Sequence, residues 1–77
     1  MSSTKHRKPG LVHVDYQLIY EARRFITGAN IHRVKQMIFV YICAVELYNQ
    51  AGGFQRPDPE PYERDLRRFV LAARSRN

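Results

Sequence analysis

Seventy-seven residues allow one small, marginally stable domain, and a single cysteine leaves no disulfide to brace it. His6, His13 and His32 are scattered without metal-ligand spacing, and the uncharged run Met37–Val45 falls well short of the roughly 20 residues that span a bilayer. Thirteen lysines and arginines against seven acids give a formal net charge of +6 and an isoelectric point near 10, a balance that suits association with a polyanion.

Residues 1–10 hold Lys5, Arg7 and Lys8 with no acid and no periodicity, and read as a disordered basic arm closed by Pro9-Gly10. No hydrophobic signal segment follows Met1, so a cytoplasmic, nucleoid or nuclear location is expected. Residues 11–77 read as a single helical domain. It opens on Leu11-Val12-His13-Val14, a β-prone piece with the valines on one side and His13 on the other, which predicts a short strand. Asp15 suits an N-cap and Gly28 the residue just past a helix end, placing a first helix over about 15–27. At about 100° per residue, Leu18, Ile19, Ala22, Phe25 and Ile26 share one of its faces. Tyr16, Tyr20, Arg23 and Arg24 share the other.

Asn30 is the expected cap of a second helix over about 30–51, stopped by Gly52-Gly53. One face gathers Ile31, Val34, Ile38, Tyr41, Ile42, Val45 and Tyr48. The opposite face begins polar, with His32, Arg33 and Gln36, then turns apolar through Phe39, Val40, Cys43 and Leu47. A helix that is apolar all round in its middle needs cover on both sides. Phe39, Val40, Cys43 and Leu47 are therefore the expected homodimer interface, since a contiguous apolar patch is unusual on a monomer. Gly52 to Pro61 reads as a linker stiffened by Pro57, Pro59 and Pro61. A third helix over about 60–75 follows, with Tyr62, Leu66, Phe69, Val70 and Ala73 on its apolar face. Arg64, Arg67, Arg68 and Arg74 lie roughly opposite, and acids early with arginines late suit the helix dipole.

Catalytic chemistry is missing from this pattern. There is no glycine-rich phosphate loop, nucleophile elbow or metal-ligand pair, so neither enzyme nor cofactor is expected. Cys43 sits between Ile42 and Ala44 with no base beside it and reads as a small hydrophobe. Asp58 and Glu60 flank prolines at a helix start and read as caps.

Three features point to nucleic acid. The arm with Lys5, Arg7 and Lys8 has the character of extensions that neutralise phosphates or enter a minor groove. The stripe of Arg64, Arg67 and Arg68 has the spacing to follow a phosphate backbone, although Glu60–Arg64 and Glu63–Arg67 at i,i+4 would equally make an ordinary solvated face. Tyr16, Tyr20 and Arg23 mix aromatic and basic groups as stacking surfaces do.

The order of elements over residues 11–50 resembles the ribbon–helix–helix family of dimeric DNA-binding regulators. Leu11-Val12-His13-Val14-Asp15 looks like the family's strand running into a capped first helix, and Thr27-Gly28-Ala29-Asn30 like its turn into the second. The resemblance implies a dimer in which two strands pair in the DNA major groove, with His13 facing the bases and the second helices forming the shared core. A plain three-helix bundle is the alternative fold. The expected function is thus a small basic homodimer that binds DNA, with RNA as a further candidate, acting as a transcriptional, plasmid or phage regulator. The rival is a helical adaptor or inhibitor that receives a protein partner on the second apolar face of the middle helix. No membrane partner is expected.

Overall fold

The structure, a computed structural model, describes residues 11–51 and 58–76. The expected arm with Lys5, Arg7 and Lys8 and most of the expected linker lie outside these residues. Three helices make up the fold: α1 (Tyr16–Arg24), α2 (Ile31–Gln50) and α3 (Glu60–Arg76). The protein is mainly helical, and the described residues contain no strand. Where a strand was expected, Val12 is held by a side chain. Its N–H donates to Asn49 Oδ1 (2.8 Å) and its carbonyl accepts from Asn49 Nδ2 (3.0 Å). One amide side chain thus satisfies both backbone groups that a neighbouring strand would otherwise engage.

Local chemistry sets each helix end. Asp15 caps α1 by accepting from the Leu18 N–H at 3.2 Å. The helix stops at Arg24, three residues before the position expected from Gly28. Phe25 and Ile26 donate to the carbonyls of Ala22 and Arg23, three residues back, and these tighter bonds close the last turn early. Asn30 occupies the N-cap position of α2, but its side chain does not cap. It turns back across the connection, accepting from the Thr27 N–H (2.8 Å) and donating to the Phe25 carbonyl (3.2 Å). At α3, Asp58 accepts from the Glu60 N–H, and the Pro59 carbonyl takes the first helical bonds from Tyr62 and Glu63. Pro61 needs no donor there.

The contacts fix the directions of the helices. Asp15 and Glu21 of α1 reach Arg67 and Arg74 of α3 in the same order, so α1 and α3 run parallel. Tyr41 and Asn49 of α2 meet Asp15 and Val12, and Arg33 near the start of α2 lies over Phe69, so α2 runs against both. Leu66, Phe69, Val70 and Ala73 of α3 are buried, along with Leu18, Ile19 and Ala22 of α1 and Val34, Tyr41 and Val45 of α2. Tyr62, expected on the same face of α3, is exposed. The third helix packs against both others, while α1 and α2 meet over a smaller contact. A groove therefore opens between α1 and α2 on the side away from α3.

Candidate nucleic-acid interface

Antiparallel packing sorts the charges. The C-terminal halves of α1 and α3 and the N-terminal half of α2 share one end of the bundle. Among the described residues that end holds Arg23, Arg24, Arg33, Lys35, Arg68, Arg74 and Arg76 against the carboxylates of Glu21 and Asp65. Toward the other end Arg64 and Arg67 face Asp15, Glu46, Asp58, Glu60 and Glu63. A chain whose sequence scatters basic residues along its length folds into a body with a basic pole and an acidic pole.

Two shallow depressions mark the basic pole. One, of about 440 Å³, lies between α2 and α3 and is lined by Arg33, Arg68, Arg76, Phe69 and Asp65. The Arg33 guanidinium sits 5.8 Å from the Phe69 ring centroid, which fixes its plane above an aromatic face. The second, of about 520 Å³, joins Arg24 and Arg76 to the α1–α2 turn at Thr27 and Asn30. The first turn of α2 contains no acid, and the Asn30 side chain is engaged elsewhere, so the positive end of the α2 dipole adds to the field. Among the described residues Arg23, Arg24, Arg33, Lys35 and Arg76 enter no ion pair.

The arginines singled out on α3 are differently placed. Arg64 pairs with Glu60 at 3.3 Å, and Arg67 with Glu63 at 2.6 Å and Asp15 at 3.5 Å. Arg68 is 3.9 Å from Asp65 and reaches the basic depression. His13 is exposed and lies at the acidic pole, beside the start of α1. The expected set is spread out: His13 and Arg64 lie toward one end, while Arg67 and Arg68 are neighbours at the middle of α3 on different flanks, Arg67 turned to Asp15 and Glu63 and Arg68 to the basic depression. Arg24, Arg33 and Arg76 were not in the expected set. Each reads locally as a helix-end residue, and only the antiparallel topology joins them.

The apolar face of α2 is the second feature. Phe39 is 65% exposed and Leu47 44%, whereas Val40 and Cys43 are half-buried by their neighbours. Phe39 also lines the groove of about 590 Å³ between α1 and α2, with Ile31, Ile38 and Ile42 beside it. Tyr16, Ile19 and Tyr20 form the α1 wall, and Arg23 and Lys35 stand at the basic end. Groove and outer face thus form one apolar band joined at Phe39.

Among the described residues Tyr41 is the group whose titration is clearly displaced. Burial pushes its hydroxyl above the ordinary tyrosine value, with Glu63 and Asp15 adding to the rise, against the bond from the Asp15 N–H and the nearby Arg67 charge. Among the described residues no cluster of three or more potential metal ligands occurs, and no helix is long and apolar enough to cross a membrane. No protein-family model matches the chain, nor does any curated protein or solved structure.

Proposed function

We propose that this protein is a small basic homodimer that binds nucleic acid, duplex DNA foremost, through the basic pole of its bundle. The observation that carries the reading is the gathering of seven cations from three helices around two carboxylates, Glu21 and Asp65, with five of the cations without an ion pair among the described residues. Phosphates that meet unpaired arginines release condensed counterions, which is the main source of affinity for a duplex backbone. Lys5, Arg7 and Lys8 add three more charges in the arm. The paired Arg64 and Arg67 contribute less, because a phosphate must first displace Glu60 or Glu63. A regulatory task follows from binding of this kind.

The ribbon–helix–helix arrangement would need residues 11–14 to pair with the same segment of a second copy. Asn49 already holds the Val12 edge, so only the His13 edge stays open for such pairing. The pole of the bundle is therefore the better supported contact.

Fluorescence anisotropy with a labelled 20-base-pair duplex tests the reading. Arg33→Gln combined with Arg76→Gln should weaken binding roughly tenfold or more and flatten the salt slope by about two units per copy. Arg64→Gln with Arg67→Gln should have a smaller effect. Equal losses from the two pairs would refute the assignment to the basic pole. The apolar groove favours one second reading, an adaptor that takes up a protein partner. Affinity for such a partner would be almost indifferent to salt.

A further inference from the structure

Three exposed charges on α2 enter no ion pair among the described residues: Arg33, which lies over Phe69, Lys35 near the start of the helix and Glu46 near its end. At about 100° per residue Lys35 and Glu46 fall on the same flank, with Phe39 and Ile42 between them. The midpoint of Lys35 and Glu46 is close to residue 41, and so is the midpoint of Phe39 and Cys43. A surface with one charge of each sign, equally spaced about an apolar centre, is complementary to itself when turned through a half rotation.

We propose that a second copy of this chain covers the outer face of α2, with the two α2 helices antiparallel and the two-fold axis near residue 41. Lys35 then faces the partner's Glu46 twice over, and Phe39 packs against the partner's Ile42 and Cys43. A second copy closes the apolar band with a surface that matches both its charges and its spacing. A parallel pair would instead set lysine against lysine and glutamate against glutamate. The dimer also gives a 77-residue chain the extra buried area that domains of this size lack.

The register has a consequence that rests on the nucleic-acid reading above. α2 has 20 residues and spans about 30 Å at the usual rise, so the two basic poles stand about 30 Å apart at opposite ends of the helix pair. One turn of B-DNA is about 34 Å. Leu11, where the arm joins, lies at the acidic pole of its own copy and hence beside the basic pole of the other. The ligand implied is a duplex long enough to present two phosphate clusters one turn apart on the same side.

Sedimentation equilibrium of Lys35→Glu and Glu46→Lys tests the register. Both positions are exposed, and circular dichroism verifies that each variant remains helical. Each variant alone should dimerise roughly tenfold more weakly than the parent, because two attractive pairs become repulsive. An equimolar mixture of the two, and the doubly substituted chain, should recover most of the loss. A mixture as weak as its components, or a parent chain that stays monomeric at high concentration, would overturn the proposal. On DNA, the parent should bind a 20-base-pair duplex more than tenfold tighter than a 10-base-pair one. Binding to both lengths with equal affinity by a monomer would overturn the antiparallel dimer and leave the nucleic-acid reading standing. A dimer with the predicted charge rescue that binds neither duplex would support the register and remove the function.

Discussion

Asn49 and Tyr41 both spend their polar atoms on the segment that leads into α1. Asn49 clasps Val12, and the Tyr41 hydroxyl accepts from the Asp15 N–H at 2.8 Å. Asn49→Ala removes two partly buried hydrogen bonds at once and should cost about 1–2 kcal/mol. Amide exchange at Val12 should accelerate far more than exchange in α3. Tyr41 also sets an alkaline limit. Its folded pKa lies above the unfolded value of 10.0, so the folded state holds the phenolic proton more tightly. That stability is fully present below about pH 10 and is lost as pH rises through the folded pKa. Thermal melts should therefore fall more steeply above pH 10 in the parent than in Tyr41→Phe, although the variant starts lower for want of its hydrogen bond. Gly28 needs no special backbone, and an added Cβ would meet nothing within 4 Å. Gly28→Ala should leave stability unchanged or raise it by up to about 1 kcal/mol.

At the scale of elements, the three helices were legible because the signals that start and stop them are local. Asp15, Asp58 and Pro61 act where the sequence places them, and the apolar faces of α1 and α3 follow from 3.6-residue periodicity. The ends of α1 and the cap of α2 were less legible. Whether Asn30 caps its own helix or bridges back to Phe25 depends on the path of the turn, which no short window encodes. The segment 11–14 has strand-like composition, yet its hydrogen bonds go to a residue 37 positions away. The grouping of charge in the candidate site depends on the fold for the same reason. Arg64, Arg67 and Arg68 form a visible stripe with visible i,i+4 acids, whereas the cluster of Arg24, Arg33 and Arg76 exists only after α2 folds back along α3. Deleting residues 1–8 tests the arm separately: loss of Lys5, Arg7 and Lys8 should reduce the salt slope of a dimer by up to about five units, equally for all sequences.

The whole molecule divides its surface between a basic pole and an apolar band, and the two are linked by α2. The band accounts for Cys43, a half-buried thiol on an outer face rather than in the core. In the proposed dimer a second copy seals the band, and dilution exposes it. Thiol labelling should therefore be slow at high protein concentration and faster as the chain is diluted, whereas a rate independent of concentration would argue against a second copy over Cys43. If the proposed dimer forms, Val40→Glu should dissociate it, because a charge set in an apolar contact costs several kcal/mol. The isolated chain should stay helical, since Val40 lies outside the core cluster.

On the proposed function the basic pole meets a nucleic-acid backbone. The measurement that tests it most directly is the affinity of the full chain for a 20-base-pair duplex at two or more salt concentrations. Contacts from unpaired Arg23, Arg24, Arg33 and Arg76 predict a log–log slope of about −3 or steeper, and binding in the micromolar range or tighter at about 50 mM salt. No binding at tens of micromolar protein under those conditions would contradict the account and put the adaptor reading in its place.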